Sequence, residues 1–167
     1  MANAAEPLEI RPAQTSDCAT LTRISFAAKR HWKYPEDYFE VWREELTITP
    51  EYIASNRVFV ACRAAEAVAY YSLVQVEESF RAGAAEIAAG DWLDHMFVAP
   101  GHMGQGVGRQ MAEHLQRFCL AEGIKTLRLL ADPNAAGFYR KCGAVFIKYV
   151  PSNIPGRAVA YFEWKFM

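Results

Sequence analysis

Hydrophobic and polar positions change their period along the chain, and each change predicts a new element. A 3.6-residue period follows a cap at Thr15 or Ser16, with Asp17 in the first turn, and predicts an amphipathic helix. The apolar face of that helix is formed by Leu21, Ile24, Ala28 and Trp32. A second helix is predicted over 36–46, with Tyr38, Val41 and Trp42 inward, and a short third helix begins at Pro50 and extends to Ala54.

Alternating apolar and polar positions predict the strands. These are expected at 8–11, 58–63, 67–77, 93–98, 124–131, 144–150 and 159–166. The 58–63 and 67–77 runs are predicted to pair as a hairpin. Residues 80–90 leave two interpretations open, a strand at 85–88 or a glycine-flanked loop.

A strand, a glycine-rich turn and a helix follow one another over 93–120, with the sequence LDHMFVAPGHMGQGVGRQMAEHLQRFCL. The turn contains Gly104, Gly106 and Gly108. Buried helix positions are predicted at Val107, Met111, Leu115, Phe118 and Cys119, and solvent-facing ones at Arg109, Glu113 and Arg117. Glycines let backbone amides approach a ligand, and a helix N-terminus favours negative charge, so this stretch predicts an anion site, most simply for phosphate.

The order of these elements predicts an α/β fold in which a mixed, mostly antiparallel sheet of about seven strands carries helices on both faces. With 167 residues, of which 52% are hydrophobic, the chain is expected to form one domain over 1–167. Further along the chain, another helix is predicted to begin at the Asp132-Pro133 cap and to run through Cys142.

Charge and cysteine content exclude several classes of function. The chain has 18 basic and 19 acidic residues and a formal charge of −1, which predicts neither nucleic acid nor a membrane surface as partner. The four cysteines lack metal-ligand spacing, so no metal is expected, and free thiols together with no signal peptide predict a cytoplasmic protein. No apolar run approaches the about 20 residues that span a bilayer.

Two other nucleotide-binding interpretations of the glycine turn fail on spacing. A dinucleotide fingerprint beginning at Gly104 would require glycine or alanine where Arg109 stands, and the turn lies in the middle of the chain. No GxxxxGK sequence occurs, which leaves a P-loop without support. A tight glycine turn with only a structural role is the remaining alternative to a ligand site.

Three features of the sequence resemble the GNAT superfamily of acetyl-CoA-dependent N-acetyltransferases. VAPGHMGQGVGRQM is similar to the pyrophosphate loop of that family, with Gly106 and Gly108 at its last two positions and Met103 where Gln or Arg is usual. ADPNAAGFYRKCGA is similar to the later family segment that ends in FY and then GF or GA. RHWKYP and PSNIPGR resemble features of one bacterial branch of small GNAT proteins.

The resemblance implies that acetyl-CoA is the co-substrate. Backbone amides of the glycine turn would hold its pyrophosphate, the preceding strand would splay from its neighbour and bind the pantetheine arm, and Arg109 would add a charged contact. The expected coenzyme-binding residues are Met96, Phe97, Val98, Met103, Gly104, Gln105, Gly106, Val107, Gly108, Arg109, Asn134 and Phe138. Asp132 competes with Asn134 for the pantetheine contact, and Asn134 is favoured.

The same resemblance implies three catalytic candidates. Tyr139 stands at the FY position, where the family places a tyrosine near the coenzyme sulfur, and would return a proton to the leaving thiolate. Alternation predicts that Trp92, Asp94, Met96 and Val98 share the face toward the acetyl group while His95 lies on the other face, so Asp94 is the first candidate base and His95 the second. Water as the immediate base remains open.

The acceptor mouth is implied to lie at the first two helices and their link, with His31, Trp32 and Tyr34 as contacts. For Trp32 the alternative of simple packing on the sheet is preferred. The predicted reaction is direct acetyl transfer to a primary amine of a small molecule. A protein or peptide N-acetyltransferase and a non-catalytic acyl-CoA sensor are the alternatives, and a homodimer is compatible with the sequence.

Overall fold

The computed structural model describes residues 6–83 and 85–167. Its helices are α1 Cys18–His31, α2 Glu36–Leu46, α3 Pro50–Ser55, α4 Val107–Ala121 and α5 Ala136–Lys141. Its strands are β1 Glu9–Pro12, β2 Arg57–Arg63, β3 Glu66–Val76, β4 Phe80–Ala82, β5 Ala85–Ile87, β6 Gly90–Val98, β7 Thr126–Ala131, β8 Val145–Pro151 and β9 Ala158–Lys165. The predicted hairpin and the short third helix are confirmed.

Seven strands form one sheet in the order β1-β2-β3-β6-β7-β9-β8. Only β6 and β7 run parallel, and every other neighbouring pair in this sheet is antiparallel. A parallel pair needs a crossover connection, which α4 supplies. The predicted mixed, mostly antiparallel sheet is therefore confirmed.

The strands β6 and β7 pair only at their beginnings. Asp91, Trp92 and Leu93 lie opposite Leu127, Arg128 and Leu129, and no further pairs continue the ladder. β6 nevertheless extends to Val98 and β7 to Ala131, so the two strands separate and open the sheet along this line. The splay that the sequence resemblance implied is present.

Helices cover both faces of the sheet, as predicted. Alternate residues of β2 show the two sides, since Val58 and Val60 pack with Leu21 of α1, while Ala61 belongs to the cluster that contains Met111 of α4. The predicted inner positions of α4 are buried or half-buried, and its charged face is exposed.

The inner face of α2 differs from the prediction. Val41, expected inward, is 46% exposed, whereas Phe39, Trp42 and Leu46 are buried. Residues 39, 42 and 46 are three and four positions apart and therefore lie on one face of the helix. They pack against Ile154 in a separate hydrophobic cluster. The contact with Ile154, far along the chain, decided which stripe turns inward.

Two further boundaries also differ. Trp32, expected on the inner face of α1, is 44% exposed because α1 ends at His31 and the chain turns at Lys33, where φ is 57°. The helix predicted to begin at Asp132-Pro133 begins instead at Ala136. Asp132 does not cap that helix because its carboxylate is engaged by Lys29, Tyr34 and Arg157 and by the Asn134 amide.

The ambiguous segment 80–90 contains a small hairpin. β4 pairs with β5 in antiparallel register, with Phe80 opposite Ile87 and Ala82 opposite Ala85. The strand alternative for 85–88 therefore holds for Ala85–Ile87. This hairpin forms a two-stranded sheet separate from the large one.

Candidate active site

A cleft of about 500 Å³ lies where β6 and β7 separate. Its walls come from the ends of both strands, the glycine turn, the start of α4, and parts of α1 and α5. The lining residues that the sequence singled out are Asp94, His95, Met96, Phe97, Val98, Met103, Gly104, Gly106, Val107, Gly108, Arg109, Phe138, Tyr139 and Trp32. Gln105, Asn134, His31 and Tyr34 lie outside this lining.

The glycine turn presents backbone amides to the cleft. Gly104 and Gly106 have φ of 74° and 80°, a conformation that glycine adopts without strain, and a Cβ at either would meet no atom within 4 Å. None of the backbone N–H groups from Gly104 to Arg109 donates to a residue that the structure describes, and the first such bond in α4 runs from Gln110 to Gly106. This row of free donors at a helix N-terminus forms an anion cradle.

Gly108 serves a different purpose from the other two glycines. A Cβ on Gly108 would come within 3.2 Å of the Phe138 ring, so the absence of a side chain allows α5 to approach the start of α4. Phe138 in turn lines the cleft. Gln105 points away, where its side chain accepts from Arg63 at 2.7 Å and donates to the Gly101 carbonyl at 3.1 Å.

The predicted alternation along β6 is wrong at the catalytic candidates. The pairing of β6 with β3 contains a bulge, because Ser72 lies opposite His95 and Leu73 lies opposite Leu93, which leaves Asp94 as the extra residue. A bulge shifts the side-chain alternation by one position. Asp94 and Met96 therefore do not share a face.

Asp94 and His95 reach the same side of the sheet. The His95 ring lies against Tyr70 and Phe97, which belong to the side covered by α1, whereas Met96 packs on the α4 side. His95 Nε2 lies 3.3 Å from Asp94 Oδ2, with His95 buried and the Asp94 side chain 37% exposed. The more accessible carboxylate and the buried imidazole thus meet at the cleft.

Tyr52 holds Asp94 in this position, a contact that the sequence did not predict. Its hydroxyl donates to Asp94 Oδ2 at 2.5 Å and lies 2.7 Å from Ser72 Oγ. Burial raises the pKa of Tyr52 well above its ordinary value, and the Asp94 charge raises it further, so the phenol stays protonated as a donor. The predicted third helix carries Tyr52, but nothing local indicates its partner 42 residues away.

Tyr139 lies at the inner wall of the cleft and is 7% exposed. Burial raises the pKa of its hydroxyl, and the neighbouring Cys142 and Asp132 raise it further. Within residues 6–83 and 85–167 this hydroxyl makes no hydrogen bond, although Tyr139 packs against Phe162 and Trp164. A protonated phenol without a protein partner is suited to donate to a group bound in the cleft.

Asp132 is the centre of a polar network beside the cleft. Burial alone would raise its pKa, but the Lys29 charge and hydrogen bonds from the Asn134 amide, Lys29 and Tyr34 hold the pKa below its usual range. Tyr34 and Lys29 donate to it at 2.8 and 3.0 Å, and Arg157 donates at 3.1 Å. Asp132, rather than Asn134, forms the cleft wall here, because the Asn134 amide group donates to Tyr34 and Asp132.

The three predicted acceptor contacts lie in different settings. Trp32 lines the cleft, and His31 packs edge-on against it at a centroid distance of 4.8 Å but is itself exposed. Tyr34 belongs to the Asp132 network. Glu45 also lines the cleft, a residue that the sequence did not single out.

Neither a metal-binding cluster nor a membrane-spanning helix is present among the described residues. No group of three or more His, Cys, Asp or Glu side chains in residues 6–83 and 85–167 has a geometry that could hold a metal ion. No helix in that part of the chain combines the length and apolar character needed to cross a membrane. All four cysteines are free thiols.

The chain is similar in sequence to known acetyltransferases. The family profile described as "Acetyltransferase (GNAT) domain" matches residues 54–143, which is more than half of the chain. A peptidyl-lysine N-acetyltransferase, YjaB of Salmonella typhimurium, is 35% identical over 57 residues. That match spans 34% of this chain and only 38% of the relative's length.

Two solved structures share the fold over nearly their whole length. The PaiA N-acetyltransferase from Thermoplasma acidophilum, in complex with coenzyme A, superposes with a TM-score of 0.72 at 17% identity, covering 96% of this chain and 99% of that one. A GCN5-related N-acetyltransferase from Rhodopseudomonas palustris gives a TM-score of 0.72 at 20% identity, covering 99% and 100%. At these identities the likeness establishes the fold alone.

Proposed function

The chain belongs to the GNAT acetyltransferase family, and we propose that it transfers the acetyl group of acetyl-CoA to a primary amine by direct attack in a ternary complex. The observation that carries this proposal is the cleft itself. It joins a row of free backbone amides at one end to Tyr139, Asp94 and His95 at the other. The residues that line it come from widely separated parts of the chain, the first being Ala28 and the last Tyr139, so we propose that the chain acts as one domain.

The glycine turn fits the pyrophosphate of the donor. Amides from Gly104 to Arg109 have no protein acceptor among the described residues, and the two open glycines leave the space in front of them clear. We assign the pantetheine arm to the separated edge of β6, where the backbone of Met96, Phe97 and Val98 faces the gap. Phe138 and Met103 would add apolar contact along the same wall.

The transfer step needs a base on the amine side and an acid on the sulfur side. The lone pair of the neutral amine attacks the thioester carbon, a C–N bond forms, and the C–S bond breaks. We assign removal of the amine proton to Asp94, supported by His95 and Tyr52, either directly or through one water. We assign protonation of the leaving thiolate to Tyr139, whose raised pKa keeps the hydroxyl in its protonated form.

A small-molecule amine is the acceptor that we propose. The cleft is limited in size, and its mouth is lined by Trp32, Lys29 and Glu45. The second candidate is a peptidyl lysine, which the partial match to YjaB favours. The four free cysteines support the further proposal that the protein works in a reducing compartment such as the cytoplasm.

The test is thiol release from acetyl-CoA over a panel of small amines and lysine peptides, with product masses measured in parallel. Release that depends on an acceptor, together with a product gaining one acetyl group, would support the proposal. Binding of acetyl-CoA without release across the panel would instead favour a non-catalytic acyl-CoA sensor.

A further inference from the structure

A second cavity of about 220 Å³ opens beside the main cleft. Lys29, Glu45, Leu130 and Asp132 line both spaces, so the two adjoin along this wall. The remaining lining residues of the second cavity are Trp42, Ala82, Ala85, Ile87, Pro151, Ser152, Asn153, Arg157 and Val159. The small β4–β5 hairpin and the link between β8 and β9 therefore form part of its wall.

Two half-buried cations share one carboxylate at this cavity. Lys29 Nζ lies 3.0 Å and Arg157 Nη2 lies 3.1 Å from the same oxygen, Oδ2 of Asp132, and the three side chains are only 13–15% exposed. Neither cation forms an ion pair with another acidic side chain in the described part of the chain. Because Asp132 stays ionised, the cluster carries one positive charge without a partner, and a partly buried charge of this kind is stabilised by a counter-ion.

Arg157 has hydrogen-bond donors left for such a counter-ion. Its Nη2 donates to Tyr34 and Asp132, both at 3.1 Å, while its Nε and Nη1 donate to no residue that the structure describes. The guanidinium is held in place by the rings of Tyr34 and Trp42, at 5.0 and 5.3 Å from their centroids. A guanidinium that is fixed in this way can bind an anion through two hydrogen bonds.

The charge balance selects the kind of anion. One unpaired positive charge matches a carboxylate, whereas a phosphate monoester carries about −1.5 to −2 at neutral pH. Glu45 supplies the opposite charge on the shared wall, where it pairs with no described cation and faces the main cleft as well. A zwitterion would thus find a cationic pocket for its carboxylate and an acidic wall beside the route to Asp94 for its ammonium group.

We propose that the second cavity is a carboxylate subsite formed by Arg157 and Lys29, and that the acceptor is a carboxylate-bearing primary amine, such as an amino acid. This inference rests on the proposed acetyltransferase function and adds the chemical class of the substrate. Asp132 is a positioning residue in this arrangement, since it holds both cations at the cavity wall.

The first test uses the unmodified protein. We would measure kcat/KM with a series of amino acids and with their neutral carboxamides, which keep the same amine and side chain. A charged hydrogen-bonded contact predicts a preference of roughly 10- to 100-fold for the acids, expressed mainly in KM. Equal rates, or faster acetylation of the amides, would overturn the subsite and leave the acetyltransferase function intact, whereas no turnover of any amine would overturn both.

The second test replaces the arginine. Arg157→Gln is expected to reduce the acid-to-amide ratio roughly 10- to 100-fold, and Arg157→Lys is expected to retain part of it. The matched control is Arg43→Gln, since Arg43 lies on the outer surface of α2, paired with Glu40 at 2.8 Å. The control should leave the ratio unchanged. An equal loss of activity with acids and amides in Arg157→Gln would indicate a purely structural role and overturn the proposal. If that variant does not fold, the ratio measured with Arg157→Lys decides.

Discussion

Replacing Gly106 by alanine gives the most direct test of the amide cradle. Gly106 has φ of 80°, and its added Cβ would meet no protein atom within 4 Å, so the methyl group would project into open space at the turn. A bound pyrophosphate would have to move away from the amides at this point. Loss of one charged hydrogen bond costs about 1.5–3 kcal/mol, which predicts a roughly 10- to 100-fold weaker affinity for coenzyme A in calorimetric titration.

The backbone cost of this substitution can be measured separately. Gly123, which follows α4, has φ of 73° and equally open surroundings, but it lies outside the cleft lining. Alanine at either position should lower the free energy of unfolding by about 1–2 kcal/mol, because an L-residue is strained in the left-handed region. Gly123→Ala should retain coenzyme affinity. Unchanged affinity in Gly106→Ala, or equal weakening in both variants, would refute the assignment of the turn to the pyrophosphate.

Three further predictions concern the catalytic wall and the core. Tyr139→Phe is expected to lower kcat about 10²- to 10⁴-fold with little change in coenzyme affinity, because the missing hydroxyl would act on the leaving thiolate; single-turnover kinetics and calorimetry measure the two effects. Tyr52→Phe is expected to lower kcat/KM, and Asp94→Asn to lower it further, since Tyr52 holds the Asp94 carboxylate through a 2.5 Å hydrogen bond. His114→Gln is expected to reduce the amount by which the free energy of unfolding falls on acidification. Burial and then the Arg117 charge lower the pKa of His114 below 6.5, so the unfolded state binds more protons and stability falls as the pH drops below about 6.5; urea unfolding at several pH values measures this.

Each of these predictions has its own contrary result. Tyr149→Phe, at a tyrosine that is 67% exposed, serves as the matched control for Tyr139→Phe. Full single-turnover rates in Tyr139→Phe would remove the acid role. A Tyr52→Phe enzyme that is more impaired than Asp94→Asn would mean that Tyr52 does more than position the carboxylate. An identical pH dependence in His114→Gln would show that folding does not lower the pKa of His114, against the effect of burial and of the Arg117 charge.

Short-range sequence patterns were sufficient to predict the strand, turn and helix that surround the site. The strand, glycine turn and helix over 93–120 depend on periodicity, on residues that tolerate positive φ, and on a helix N-terminus, all of which act within a few residues. The early hairpin and the order of elements along the chain likewise predicted the mixed, mostly antiparallel sheet, whereas the order of the strands within that sheet was not predicted. The identity of the inner face of α2 was not predictable, because Val41 and Phe39 are both apolar and only the packing against distant residues such as Ile154 distinguishes them.

The sequence by itself thus determined the strand, the glycine turn and the helix that carry the amide cradle. Only the tertiary structure decided which polar groups meet inside it. The bulge that turns Asp94 toward His95 arises from the pairing of β6 with β3, and Tyr52 reaches Asp94 across 42 residues. Tyr34 and Arg157 meet at a separation of 123 residues. Such contacts leave no periodic signal in the sequence, because they depend on how distant elements pack. They also depend on the low polarity of the space between those elements, where a buried charge is costly unless it is paired.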